Sequence, residues 1–336
     1  MRRRDFIALL GSTVAASPLA ARAQQSAMPV IGYLADVPDV THLNEAFQRG
    51  MGELGYVEGK NFATEYRTSP ESLSQAAVDL VRRNVNAVFA TTPGAVAAIS
   101  KATTSIPVVG VDLESDPVAK GYVQSVARPG GNITGMFLDI PELSGKQLGL
   151  LREIVPRLSR IATFGIPGLN ALQFAATQAA ARAVGVEVEV LEVRVPDDLQ
   201  AAVVTAKVRH VDAGILLSSP LMFINSKLIG ELALAKRLPL ISLFGEFPRS
   251  GGLLAYGPNL ADMFRRCGEY VGKVLHGAKP RELPVQRPER FDLIINLKSA
   301  AAIGLDIPAH LQQLADEIIE RGISAVGPFR PNSTFV

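Results

Sequence analysis

The chain has 336 residues, of which 48% are apolar and 20% charged, a balance that excludes a disordered chain and leaves room for two domains of ordinary size. Residues 1–23 carry four arginines and one aspartate, so their removal takes the formal charge from +2 to −1, and no basic patch remains to argue for nucleic acid. Cys267 is the single cysteine, which excludes a disulfide framework and a cysteine-based metal site.

The first segment, residues 1–23, reads as a cleavable export signal. Arg2, Arg3 and Arg4 precede an apolar run of roughly fifteen residues, too short and interrupted to span a bilayer, and Ala21 and Ala23 fit small-x-small cleavage. Arg3-Arg4-Asp5-Phe6-Ile7 also reads as a twin-arginine motif, which predicts a periplasmic protein without stable membrane insertion.

From Pro29 the pattern alternates. Val30 to Leu34 is strand-like, and Leu43, Ala46, Phe47, Gly50, Met51 and Leu54 recur at the spacing of one helical face. Phe62 to Tyr66, Ala87 to Thr91 and Pro107 to Asp112 repeat the strand pattern. Helices are predicted from the stripe Leu73, Ala76, Ala77, Leu80 and Val81, and from Thr92-Pro93-Gly94-Ala95, where Thr92 stands as cap and Pro93 at the first helical position. Ser125 to Gly135, running on to Asp139, contains the breaker cluster Arg128-Pro129-Gly130-Gly131 and reads as the approach to a crossing between lobes.

A helix carrying Leu148, Leu151 and Val155 leads into a second series. Its strands are 160–165, 186–193, 213–218 and 238–243, and its helices 170–184, 199–209 and 224–237. The two series correspond unit for unit, which predicts an α/β protein of two similar doubly wound parallel-sheet lobes. A second breaker cluster, Phe244 to Gly252, precedes a strand-like 253–256 and is predicted to mark the return crossing. The stripe Met263, Phe264, Cys267, Tyr270, Val271, Val274 and Leu275 stops at Gly277. An extended linker over 279–288, a last strand over 291–297 and a helical tail over 308–321 complete the pattern. The expected division is 29–137 with 250–282 in lobe 1, and 138–249 with 283–330 in lobe 2.

Chemistry is sparse. The four histidines lack helix-spaced metal partners, and Ser144-Gly145-Lys146-Gln147 fails as a phosphate loop because Ile140 replaces the first glycine and Gln147 the magnesium-binding hydroxyl. No dinucleotide fingerprint, nucleophile elbow or kinase set is present, so no enzyme and no cofactor is expected. What remains is binding at the carboxyl ends of strands. Thr91-Thr92-Pro93-Gly94 and Ser218-Ser219-Pro220-Leu221 end corresponding strands and place hydroxyls and backbone N–H groups at helix starts, as seats for a ligand carboxylate or as plain caps. Tyr33, Thr92, Gly94, Asp112, Phe137, Asn170, Ser218, Ser219, Phe244 and Glu246 are the candidate ligand-binding residues, the aromatic ones suiting a planar ligand.

Asp116-Pro117-Val118-Ala119, Ala127 through Gly135, Gly251 through Gly257, Phe291 through Lys298, Ile303 through Pro308 and Ala315 through Glu320 resemble the tryptophan/tyrosine-type substrate-binding proteins of ABC importers. The resemblance covers nearly the whole chain after the signal. It implies a type I periplasmic binding protein: two lobes, three hinge strands, and a cleft that closes on one small molecule before delivery to a membrane permease and its ATPase. By the same resemblance the ligand is a small aromatic carboxylate or amino acid and the protein a monomer. The alternative is a sensor subunit that presents the same closed shape to a membrane kinase or chemoreceptor.

Overall fold

The structure, a computed structural model, describes residues 28–320 apart from 39, 69–71 and 138–140. The export signal with its twin-arginine motif, and the Leu138-Asp139 end of the first crossing, lie outside the described residues.

The first sheet is parallel throughout. It contains β1 (Val30–Leu34), β2 (Ala63–Arg67), β3 (Ala87–Ala90), β4 (Val108–Asp112) and β5 (Ile133–Phe137), in the order β2-β1-β3-β4-β5. β3, β4 and β5 are buried along their whole length, as continuous apolar runs between helix layers require. The helices between them are α1 (Thr41–Glu53), α2 (Leu73–Arg82) and α3 (Pro93–Ala102). Gly130 adopts φ +76° and a Cβ there would meet the Gln124 side chain at 2.4 Å, so the breaker cluster shapes the turn that feeds β5.

The second lobe begins with α4 (Pro141–Ile154), followed by β6 (Arg160–Gly165), α5 (Ala171–Ala183), β7 (Glu187–Glu192), α6 (Asp198–Val208), β8 (Ala213–Leu216), α7 (Pro220–Ile224), α8 (Ser226–Ala235), β9 (Leu240–Ser242) and α9 (Glu246–Arg249). Then come β10 (Leu254–Pro258), α10 (Leu260–Leu275), β11 (Phe291–Asn296), α11 (Leu297–Ile303), α12 (Ala309–Leu314) and β12 (Glu317–Ile319). The second sheet runs β12-β11-β10-β9-β8-β6-β7, with only β10 and β11 antiparallel. The doubly wound two-lobed architecture read from the alternation is therefore present.

Two details correct the sequence reading. β10 pairs with β9 and β11 in the second sheet, so the return crossing falls at Pro258-Asn259 and not at Gly251-Gly252, while α10 packs on α1 of the first lobe. Gln286 then bridges to Met136 at the edge of the first sheet, so residues 285–286 belong with lobe 1 before β11 returns to lobe 2. The predicted helical tail stops at Leu314 and gives way to β12. The Asp316 carboxylate accepts the Leu293 N–H at 2.8 Å and Leu293 O accepts the Asp316 N–H at 2.8 Å, which aligns Glu317-Ile318-Ile319 with β11. Cys267 is fully buried in the α10 stripe, and burial pushes its thiol far above its ordinary range, so it is a packing residue. Among the described residues no helix is long and apolar enough to cross a membrane.

Candidate functional site

The carboxyl ends of β1, β3 and β4 face the start of α7 and the loop after β9, and a cavity of about 570 Å³, its open mouth included, lies between them. Tyr33, Thr91, Glu114 and Phe264 line it from the first lobe, Phe223 and Phe244 from the second. The rings are held edge to face: Phe223 and Phe244 lie 5.1 Å apart at 80°, Tyr33 and Phe89 5.5 Å apart at 86°, and Phe89 and Phe264 5.3 Å apart at 79°. Such rings bring large apolar area with little freedom to lose when a planar ligand is buried against them. Among the described residues no Lys, Arg or His lines the cavity.

Its polar end joins the lobes. Ser218 donates its hydroxyl to the Glu114 carboxyl across the cleft, both residues being almost completely buried. The Ser218 N–H donates to Gln173 Oε1 at 2.7 Å, and Asn170 Nδ2 donates to Ser218 O at 2.6 Å. Asn170 Oδ1 accepts the Ile166 N–H at 2.7 Å, so this serine sits in a rigid frame of amides. On the first lobe, Asp112 Oδ1 accepts the N–H groups of Glu114 and Ser115, each at 2.9 Å, and the Leu113 N–H donates to Glu114 Oε2 at 3.1 Å. Thr91 Oγ1, Asp112 Oδ2 and Asp36 Oδ1 are buried without a hydrogen-bond partner. Burial, reinforced by the neighbouring Asp112 charge, pushes Glu114 up to about 8, and burial also raises Asp112.

Of the candidates drawn from the sequence, Tyr33, Thr92 and Phe244 line the cavity. Asp112 and Ser218 lie directly behind it, each hydrogen-bonded to Glu114. Thr92 and Ser219 both cap helices, accepting the N–H groups of Ala95 at 3.3 Å and Met222 at 3.2 Å. Asn170 braces Ser218. The remaining three lie elsewhere. Gly94 packs over Asp36, where a Cβ would come within 2.8 Å of Asp36 Oδ2. Phe137, at the end of β5, points into the core cluster of β3 and β4, because strand alternation sends Met136 to one face of the sheet and Phe137 to the other. Glu246 lines a separate cavity at the Pro258-Asn259 crossing, with His42, Arg249, Asn259 and Asp292, and its carboxylate lies 3.3 Å from His42 Nε2.

The sequence reading missed Glu114, Phe223 and Phe264. Phe264 belongs to the α10 stripe and reads as core alone. Glu114 had a visible signal: a carboxylate two residues past a strand buried along its whole length, at the end where α/β ligands sit.

Comparison with known proteins gives a consistent picture. The family model described as ABC transporter substrate binding protein matches residues 34–319. A tyrosine-binding protein from Clostridioides difficile (strain R20291) is 23% identical over 283 residues, covering 82% of this chain and 80% of the relative. Among solved structures, an ABC domain in complex with L-Trp from Streptococcus pneumonia superposes with TM-score 0.79 at 23% identity, over 87% of this chain and 99% of its own. A ligand-free, open substrate binding protein with adhesive properties from Clostridium difficile superposes with TM-score 0.65 at 20% identity, over 87% and 100%.

Proposed function

The chain belongs to the ABC transporter substrate binding protein family, and from that premise we propose that it captures one small aromatic carboxylate or amino acid between its lobes and delivers it to a membrane permease and its ATPase. The observation that carries the ligand class is the cavity itself. Tyr33 and Phe264 on one lobe oppose Phe223 and Phe244 on the other, and a flat ring between them buries apolar area on both faces. The unpartnered Thr91 hydroxyl at the start of α3 offers a donor to a ligand carboxylate, in line with the positive end of that helix. The tyrosine-binding relative and the L-Trp complex support the same class. On this reading residues 1–23 are an export signal, the capture takes place in the periplasm, and a single chain suffices for it because both walls of the cavity come from one chain.

A thermal-shift screen of the exported form against aromatic amino acids, phenylpropanoids, benzoates and branched-chain acids tests the reading. An aromatic ligand at a hundred times its dissociation constant adds roughly 2.7 kcal/mol of stability. Stabilisation by branched-chain acids with none by any aromatic compound would overturn the ligand class.

A further inference from the structure

The cavity is unusual in its charge. Three carboxyl groups, Asp36, Asp112 and Glu114, interact at its polar end, and among the described residues no cation lines it. Asp112 is completely buried, and its Oδ2 has no partner, as is also true of Asp36 Oδ1. The cluster carries more buried negative charge than Lys120, acting on Asp112, offsets, so the site favours a proton or a cation from the ligand. The groups acting on Glu114 are Asp112 and Asp36 from the first lobe and the Ser218 hydroxyl from the second, while Lys120 acts on Asp112. Among the described residues no group of His, Cys, Asp and Glu could hold a metal ion.

Resting on the reading of this cleft as the ligand site, we infer that Glu114 is a proton-exchanging specificity residue: protonated in the unliganded protein, it gives its proton to solvent when a ligand's protonated amine takes that place. The step balances. A neutral carboxylic acid and an ammonium ligand become a carboxylate–ammonium pair plus one proton in bulk water. With the lobes closed, the Ser218 hydroxyl donates to this same carboxyl, so the contact that joins the lobes is made on the group that meets the ligand's amine. The elevated position of Glu114, at about 8, puts this exchange near neutral pH. The sign follows: below about pH 8 the ligand has to displace a proton, so affinity for an amine-bearing ligand rises about tenfold per pH unit up to that point and then levels off. A ligand with the same ring and carboxylate but no amine gains nothing from the exchange.

Calorimetric titration with L-tyrosine and with 3-(4-hydroxyphenyl)propanoate, in buffers of different ionisation enthalpy, separates these outcomes. L-Tyrosine is expected to release about one proton per molecule bound at about pH 6 and progressively less as the pH approaches about 8, below the range in which its own amine loses its proton, whereas the deaminated compound releases none and binds at least tenfold more weakly at about pH 8. Glu114→Gln keeps the shape and the hydrogen bond to Ser218, and is expected to abolish both the proton release and the preference for the amine. Equal binding of the two compounds, or proton release that survives in Glu114→Gln, would overturn the role of Glu114 and leave the aromatic receptor standing. Failure of both compounds to bind, with branched-chain acids binding instead, would overturn the receptor reading together with it.

Discussion

Replacing Ser218 with leucine should weaken ligand binding by roughly 10²-fold while leaving each lobe folded. The side chain is almost fully buried between the lobes, with its hydroxyl on Glu114, its N–H on Gln173 and its carbonyl oxygen on Asn170. Extra methylenes in a packed site cost typically about 1–3 kcal/mol, and a buried carboxyl left without its partner costs a further 1–3 kcal/mol or so. Both penalties fall on the closed form alone, because Glu114 and Ser218 come from different lobes. An open protein can accommodate the leucine in the cleft. About 2.7 kcal/mol of that penalty is already a hundredfold in affinity. Calorimetry on the variant reads the effect, and an unchanged melting midpoint without ligand shows that the change lies in closure. Affinity equal to that of the parent protein would remove the Glu114 contact from the closing surface.

Gly50→Val is expected to have the largest effect on stability. α1 and α10 are drawn from opposite ends of the chain, and they cross where Gly50 meets Arg265 and Gly268 meets Phe47. A Cβ on Gly50 would stand 1.8 Å from the Arg265 carbonyl oxygen, and one on Gly268 2.2 Å from the Phe47 carbonyl oxygen. These neighbours are helix backbone, so relief requires moving α10 away from α1, and no rotamer change is enough. The expected loss is about 3 kcal/mol, read as a fall of roughly 6–12 °C in the thermal midpoint. Gly52→Ala, two residues on in the same helix, is the control: nothing lies within 4 Å of its Cβ, and the gain in helix propensity is up to about 1 kcal/mol. If both variants melted alike, the close crossing would not be what limits stability here.

The α1–α10 contact also explains part of what could be read from sequence. The alternation of apolar runs and helical stripes yielded the two sheets because each unit is local, a strand and the helix that covers it. Tyr33 and Phe244 were legible as candidates for the same reason, since one lies next to the last residue of β1 and the other two residues past β9, both strands being largely buried. The place of Glu114 just past β4 was visible, but its partner was not, because that is a serine 104 positions later. Phe137 was misassigned by a rule that locates the end of a strand but does not say which face the last side chain takes. Glu246 shows a similar limit: α9 forms within the breaker cluster after β9 and turns that carboxylate toward His42 and the crossing at Pro258.

The division of labour between the two cavities gives the account its sharpest consequence. The aromatic cavity has the rings and Glu114; the cavity beside the crossing has His42, Glu246, Arg249 and Asp292 and shares only Leu260 with it among its lining residues. A crystal structure of the protein with an aromatic ligand from the screen tests this most directly. The account predicts the ring between Tyr33 and Phe264 on one side and Phe223 and Phe244 on the other, with Glu114 and Ser218 at the ligand's polar end. A ligand seated instead against His42, Glu246 and Arg249, with the aromatic cavity unchanged, would contradict it.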